Sequence, residues 1–262
     1  MELKDKVVVV TGAASGIGRE TALELARGGC VCVLVDISVD KLVGVLDQVR
    51  GVSPTSTAEV CDVGRPERVR ETVDAVLDRY GRIDILVNNA GVMIVKFFES
   101  LSDEEFERMM STNFYGAISL IRAVIPIMER AGRGMILNVA SVGGRLVVPG
   151  TGVYAASKSA LHAFSESLHY ELKDKGIYVG IVVPGGTATG IFDTSTTRLG
   201  AYYQSQSSAP PSVLARAIRR AIEKERFITV APFRYRVMMG FHDAFPGFFS
   251  GTLLRRLRPY FE

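Results

Sequence analysis

The feature that most constrains this chain is a regular alternation of short β-branched runs with amphipathic segments. Apolar runs rich in Val and Ile stand at residues 7–12, 31–36, 83–91, 135–141 and 177–184. Segments with an apolar period near 3.6 residues stand at 19–27, 66–80, 103–130, 154–175 and 212–224. Strands that alternate with helices form parallel sheets with helices on both faces. The pattern therefore predicts an α/β fold with a doubly wound parallel sheet.

No Pro/Ser-rich linker separates these segments, so we predict a single domain over residues 1–262. Two regions differ from the rest. Residues 186–212, rich in Gly, Thr, Ser and Gln, are predicted to be a substrate lid, because long polar insertions in compact domains are usually functional or disordered. Residues 233–262 mix aromatic residues with arginines and form a C-terminal tail.

Charge, cysteine content and hydropathy exclude several functional classes. The formal charge of +3 arises from 31 basic and 28 acidic residues spread along the chain, which does not indicate a nucleic-acid partner. The three cysteines lack the spacing of a metal site and are predicted to be buried, reduced thiols. The N-terminal segment does not resemble a secretory signal, and no apolar run is long enough to span a bilayer. We therefore predict a cytoplasmic protein without a metal.

A glycine-rich turn, TGAASGIG at 11–18, joins the first strand to the first helix. Gly12, Gly16 and Gly18, with Ser15 and Ile17 between them, allow the backbone to approach a pyrophosphate at a helix N-terminus. Such a turn alone is also compatible with an ordinary tight connection. Its position between a strand and a helix favours a Rossmann-type dinucleotide site.

Asp36 ends the second strand about twenty residues after the glycines. A carboxylate there accepts hydrogen bonds from both hydroxyls of an adenosine ribose and repels a 2′-phosphate. Neither Ser15 nor the residues after Asp36, Ile37 and Ser38, offer the basic side chain that a 2′-phosphate needs. We therefore predict NAD rather than NADP. The alternative is a solvated carboxylate at a strand end.

Two further turns follow apolar runs. Asp62 and Val63 are placed to contact the adenine, although Asp is common in any turn. The sequence Asn88-Asn89-Ala90-Gly91 ends the next run, where the amides either cap a segment or hold backbone against the cofactor. We favour the cofactor for both amides, Asn88 and Asn89, and for Ala90 and Gly91.

Tyr154 and Lys158 are four residues apart in a predicted helix and therefore share one face. A nearby ammonium lowers the pKa of a phenol and prepares it for proton transfer, although a solvated pair at this spacing is common. Ser141 ends the strand before this helix and could bind a substrate oxygen. Asn113 lies within a helical segment despite its poor helix propensity, which suggests a local distortion or a bound water.

Taken together, in this order and spacing, these motifs resemble the short-chain dehydrogenase/reductase family over about residues 5–190. The resemblance implies that Ser141 positions the substrate oxygen, Tyr154 is the acid or base, Lys158 holds the ribose and lowers the tyrosine pKa, and Asn113 anchors a water-linked proton relay. It also implies that Pro184, Gly185, Thr187 and Thr189 form a loop over the nicotinamide and pyrophosphate. Thr187 stands where the family usually has an apolar residue.

The resemblance implies an NAD-dependent oxidoreductase and a homodimer or homotetramer built on the helices at 103–130 and 154–173. Residues 142–153, 93–95 and 190–209 would form apolar walls, which suggests a hydrophobic secondary alcohol or ketone as substrate. One alternative is a nucleotide-binding regulatory protein without turnover. Another is an NADP-dependent ketoacyl-type reductase, against which Asp36 argues.

The tail has two interpretations. The first is packing on the lid or on a neighbouring subunit. The second is weak contact with an anionic membrane, in which the aromatic residues enter the interface and the arginines meet the headgroups.

Overall fold

The computed structural model describes residues 1–192, 197–207 and 209–260, except for the side chains of Phe192 and Phe249. Residues 193–196 and 208 of the predicted lid, and 261–262 of the predicted tail, lie outside the described residues. Among the described residues, no helix combines the length and hydropathy that crossing a bilayer requires.

Seven strands form one parallel sheet in the order β3-β2-β1-β4-β5-β6-β7. The strands are β1 Val7–Thr11, β2 Val31–Asp36, β3 Thr57–Val60, β4 Ile85–Asn88, β5 Gly134–Val139, β6 Ile177–Pro184 and β7 Ile228–Ala231. This is the predicted single α/β domain with a doubly wound sheet. The order reverses between β1 and β4, which creates a crevice at the carboxyl ends of the strands.

Ten helices connect and cover the strands within the described residues. They are α1 Gly16–Arg27, α2 Val39–Arg50, α3 Pro66–Tyr80, α4 Asp103–Met110, α5 Gly116–Ala131, α6 Gly152–Leu172, α7 Arg198–Gln206, α8 Pro211–Glu223, α9 Arg234–Ala244 and α10 Pro246–Leu257. A π-helical turn, Ser111–Tyr115, lies between α4 and α5 within the predicted 103–130 helix. Helix α7 belongs to the lid, and α9 and α10 form the tail.

The side chains of one strand enter two different cores because successive residues point to opposite faces of the sheet. Val8 and Val10 of β1 pack in the layer beneath α1 and α8. Val7 and Val9 pack in the opposite layer with residues of α3 and α5. Burial on both faces explains why the central strands are mostly apolar.

Two strands, β3 and β7, are not among the five apolar runs rich in Val and Ile, although an apolar run was predicted before Asp62, and both strands lie at edges of the sheet. β3 has the sequence TAEV and β7 the sequence ITVA, each only four residues long. Val60, the last residue of β3, is 44% exposed, and Ile228, the first residue of β7, is 42% exposed. An edge strand needs less apolar surface than a central one, so its hydropathy signal is weak.

Candidate active site

A cleft of about 990 Å³ opens at the carboxyl ends of the strands. The predicted site residues that line it are Gly12, Ser15, Gly16, Ile17, Asp36, Asp62, Val63, Asn89, Ala90, Gly91, Ser141, Tyr154, Lys158, Pro184, Gly185, Thr187 and Thr189. The fold thus brings together residues from turns that follow six different strands. Gly18 and Asn113 do not line the cleft but support residues that do.

The glycine-rich turn leaves a cradle of bare backbone at the start of α1. Gly12 and Gly16 have φ values of +64° and +53°, a region that other residues rarely adopt. A Cβ on Gly18 would lie 2.0 Å from the Gly12 carbonyl oxygen, so the helix can approach the turn closely only with glycine there. The exposed N-terminus of α1 fits the pyrophosphate of a dinucleotide.

Thr11 and Asn89 join this turn to the turn after β4. The Thr11 hydroxyl accepts hydrogen bonds from the backbone N–H groups of Asn89 and Ala90, both at 3.0 Å. The Asn89 amide donates to the carbonyl oxygens of Thr11 and Gly12, at 2.9 and 3.3 Å. The role of Thr11 was not predicted, because a threonine at the end of a buried strand carries no sequence signal of its own.

Asn88 takes a different place from its neighbour. Its side chain is buried beneath the cleft and donates to Asn138 on β5 at 2.8 Å, and Asn138 donates to Ser165 on α6 at 2.8 Å. The Asn88 amide therefore joins β4 to β5, and the Asn138 amide joins the sheet to α6. Asn88 does not hold backbone against a cofactor, contrary to the prediction.

Asp36 lies at the wall of the cleft with its carboxylate fixed by backbone donors. It accepts hydrogen bonds from the N–H groups of Ala14 at 2.9 Å and Ser38 at 3.0 Å. Farther along the wall, Asp62 accepts from the Gly64 N–H at 2.9 Å and shapes its own turn. The position of Asp36 beside the glycine cradle fits an adenosine ribose.

Tyr154 and Lys158 lie one turn apart on α6 and both face the cleft, as their spacing predicts. Tyr154 is 7% exposed and Lys158 is 3% exposed. The Lys158 ammonium donates to the carbonyl oxygen of Val139 at 2.9 Å. This contact anchors the lysine to the end of β5.

Burial governs the acid–base properties of this pair. Desolvation lowers the pKa of Lys158 to about 8, because its ammonium lies away from water. Desolvation also raises the pKa of Tyr154, and a hydrogen bond with Ser141 opposes that rise. The contribution that lowers the pKa of Tyr154 comes from Ser141 and not from Lys158, so the lowering by Lys158 that the spacing predicts is not found.

Ser141 follows β5, and its hydroxyl accepts a hydrogen bond from the Gly143 N–H at 3.0 Å. A Cβ on Gly143 would lie 3.3 Å from the Tyr154 ring, so a glycine allows this turn to lie against the phenol. Gly143 was not predicted to be part of the site. Its position could be recognised only once the turn and α6 were placed together.

Asn113 lies in the π-helical turn, where the expected helix distortion is found. Its side-chain oxygen accepts from the Val92 N–H at 2.8 Å, and its amide donates to the Val92 carbonyl oxygen and the Ser157 hydroxyl, both at 3.0 Å. A Cβ on Gly91 would be 3.3 Å from both the Asn113 oxygen and the Lys158 nitrogen. Asn113 thus lies directly behind the cleft beside the lysine.

The loop after β6 packs against the glycine cradle. A Cβ on Gly16 would lie 3.0 Å from the Thr189 methyl group. The Thr187 hydroxyl donates to the Gly185 carbonyl oxygen at 2.8 Å, which accommodates the polar residue that stands where the family usually has an apolar one.

The other end of the cleft is largely apolar. The apolar predicted wall residues that line it are Met93, Val142, Leu146, Val148, Ile191 and Tyr203, and the polar ones are Thr151, Gln206 and Ser207. Val147 is 51% exposed outside the cleft. Arg145 forms an ion pair with Asp243 of α9 at 2.6 Å and does not line the cleft.

The tail contributes an unpredicted part of this wall. Tyr235, Met238 and Phe241 of α9 and Phe248 and Leu253 of α10 line the cleft. Leu253 and Leu257 also pack in a cluster with Leu199 and Tyr203 of the lid helix. Packing of the tail on the lid, one of the two interpretations of the tail, is therefore present.

Among the described residues, no group of three or more His, Cys, Asp or Glu side chains is close enough to hold a metal ion. Cys30, Cys32 and Cys61 are buried free thiols.

The family model described as short chain dehydrogenase matches residues 6–199. The chain belongs to this family. The 3-oxoacyl-[acyl-carrier-protein] reductase of Thermotoga maritima is 35% identical over 185 residues, which is 71% of this chain and 75% of that protein.

Two solved structures of the family have the same fold. A short-chain dehydrogenase/reductase from Burkholderia phymatum in complex with NAD has a TM-score of 0.88 and 26% identity, covering 94% of this chain and 95% of its own. A short-chain dehydrogenase from Sphingobium yanoikuyae in complex with NADPH has a TM-score of 0.79 and 29% identity, covering 91% and 94%.

Membership makes this short-chain dehydrogenase an oxidoreductase that acts on CH–OH groups with a nicotinamide dinucleotide. The structural relatives include both NAD and NADPH complexes, so similarity alone does not select between the two cofactors.

Proposed function

We propose that this enzyme transfers a hydride between NAD and a hydrophobic secondary alcohol or ketone, with Tyr154 as the acid or base. The observation that supports this most directly is the convergence of Ser141, Tyr154 and Lys158 with the glycine cradle at one cleft. A protein that only binds nucleotides needs neither Ser141 nor Tyr154. The catalytically silent alternative is therefore disfavoured.

Each residue has a defined role in this proposal. Ser141 and Tyr154 hold the substrate oxygen, and the Tyr154 hydroxyl gives or takes its proton. Lys158 holds the ribose and supplies positive charge beside the phenol, while Asn113 fixes the backbone at Val92 and anchors the relay behind the lysine. The dinucleotide, when bound, accepts or donates the hydride.

Replacement of Tyr154 by Phe tests the catalytic role. We expect turnover to fall by at least about 10²-fold, the lower range for loss of a general acid or base, while NADH affinity stays nearly unchanged. A screen of hydrophobic alcohols with NAD, followed by the absorbance of the reduced nicotinamide, supplies the substrate. Substantial turnover by Tyr154→Phe would contradict the assignment.

The proposed preference for NAD depends on Asp36. Its carboxylate lies beside the cradle on two backbone donors, where it would repel a 2′-phosphate. We expect a lower dissociation constant for NADH than for NADPH. The substitution Asp36→Asn should bring the two dissociation constants closer together. Tighter binding of NADPH by the native chain would favour the NADP-dependent ketoacyl-type alternative. The Thermotoga maritima relative supports the ketoacyl part of that alternative but not a choice of cofactor.

The proposed substrate is hydrophobic because the wall opposite the cradle consists mainly of Leu146, Val148, Ile191 and Met238. We also propose a homodimer or homotetramer built on α4, α5 and α6, as the family resemblance implies. The predicted cytoplasmic location is supported by the three buried free thiols. We also propose that residues 186–212 form a lid over the substrate.

A further inference from the structure

The outer face of the tail exposes aromatic side chains that the fold leaves uncovered. Phe241, Phe245 and Phe248 are exposed by 44%, 57% and 66%, and Val237 by 60%. The Phe241 ring centroid lies 5.2 Å from that of Phe245 and 5.9 Å from that of Phe248. We call Val237, Phe241, Phe245 and Phe248 the aromatic face. A contiguous apolar surface of this kind marks an interaction site.

The tail that carries the aromatic face is strongly positive. Residues 233–260 contain five arginines and one aspartate, whereas the whole chain has a net charge of only +3. Arg236, Arg255 and Arg258 are exposed, and the single aspartate, Asp243, is paired with Arg145. Exposed phenylalanines flanked by arginines are complementary to an anionic lipid surface, where rings enter the interface and guanidinium groups meet headgroups.

The aromatic face also lies at the mouth of the cleft. Phe241 and Phe248 belong to this face and at the same time line the cleft with Met238 and Leu253. A bilayer in contact with the aromatic face would therefore lie against residues that line the cleft.

We propose that α9 and α10 dock this enzyme on an anionic lipid bilayer and that its substrate enters the cleft from that bilayer. The second half rests on the proposed function, because it takes the substrate to be apolar. The first half does not, since docking depends only on the tail. Docking on the surface requires no spanning helix.

A single tryptophan reports docking directly, because the chain contains none. Phe248→Trp places the reporter on the aromatic face. On addition of vesicles of phosphatidylcholine and phosphatidylserine, its emission is expected to shift to shorter wavelength and to be quenched by brominated lipid.

Tyr170→Trp is the matched control, since Tyr170 is 69% exposed and lies on α6 sixteen residues, about 24 Å, beyond Tyr154. Its emission should not change. Unchanged emission of Phe248→Trp in the presence of vesicles would overturn the proposal.

Co-sedimentation with the same vesicles tests the phenylalanines and the arginines of the tail separately, by substitutions in the otherwise native chain. Phe245→Ser/Phe248→Ser should weaken binding by about tenfold or more. Arg255→Gln/Arg258→Gln should weaken it by about fivefold for each charge that meets the headgroups. Tyr170→Ser should bind as the native chain does, and vesicles of phosphatidylcholine alone should bind all of these proteins weakly.

Two results would contradict docking. One is a native chain that stays in the supernatant with both kinds of vesicle. The other is a Phe245→Ser/Phe248→Ser chain that changes oligomeric state by light scattering without any loss of vesicle binding, which would show that the aromatic face joins two copies of the chain. Either result leaves the Tyr154→Phe experiment unaffected, so failure of docking and failure of the proposed function are distinguishable.

Discussion

Lys158 is expected to lower the stability of the protein at neutral pH. Burial lowers the pKa of Lys158 from 10.5 to about 8, and one pKa unit corresponds to about 1.4 kcal/mol. Since the folded-state pKa lies below the unfolded one, the whole cost is present below about pH 8 and disappears as the pH rises to about 10.5. At pH 7 the charged lysine therefore costs about 3 kcal/mol of folding free energy.

Replacing Lys158 by Met removes this cost and keeps the apolar stem. The Val139 carbonyl oxygen loses its hydrogen-bond donor, which costs about 1 to 2 kcal/mol and cancels part of the stability gained. We expect Lys158→Met to be about 1 kcal/mol or more stabler than the native chain at pH 7, and to lose turnover. At about pH 9.5 the free energy of unfolding of Lys158→Met, relative to that of the native chain, should be about 2 kcal/mol lower than at pH 7. The reason is that Lys158 of the folded native chain is then mostly neutral.

Urea unfolding at the two pH values, followed by circular dichroism, measures these differences. Lys41→Met is the matched control, because Lys41 is exposed on α2, and its difference from the native chain should be the same at both values. A Lys158→Met difference that does not change with pH would refute the reasoning. It would mean that the lysine is not desolvated in the folded protein.

Two further substitutions test the support of the site. Gly18→Ala places a Cβ 2.0 Å from the Gly12 carbonyl oxygen, so it should destabilise the fold by about 1 to 3 kcal/mol and weaken NADH binding. Gly44→Ala, on open surface of α2, should instead stabilise by about 0.5 to 1 kcal/mol, and urea unfolding with an NADH titration separates the two. Asn138→Ala removes the bonds to Asn88 and Ser165 and should cost about 2 to 4 kcal/mol by the same unfolding assay; a cost below about 0.5 kcal/mol would show that this buried network is not required.

The central fold could be predicted from sequence because its signals are local. Residues 7–10 and 32–35 are buried on both faces of the sheet, so their side chains are apolar at every position. β3 and β7 lack that signal because an edge strand is only partly covered. The four-residue spacing of Tyr154 and Lys158 predicted that both side chains lie on one face of α6, because residues four apart in a helix are about one turn apart.

Other parts of the site depend on contacts between distant segments and could not be predicted in this way. The pKa of Tyr154 is set by the burial of its ring, which the four-residue spacing to Lys158 does not reveal. The contribution of Phe241 and Phe248 to the cleft depends on how the tail folds back over the lid. Asn88 and Asn89 are adjacent in sequence, but Asn88 is the last residue of β4 and bonds Asn138 in the core, whereas Asn89 begins the turn after β4 and bonds the glycine cradle.

At Asn113 the helix is locally distorted, and this distortion supports the site. Its poor helix propensity marks a position where the helix is interrupted, and the interruption is a π-helical turn. The turn allows one amide side chain to bond both the N–H and the C=O of Val92, and also Ser157 on the helix that carries Lys158. A regular helix over 103–130 would bring different side chains to Val92. The distortion is therefore part of what fixes the backbone behind the lysine.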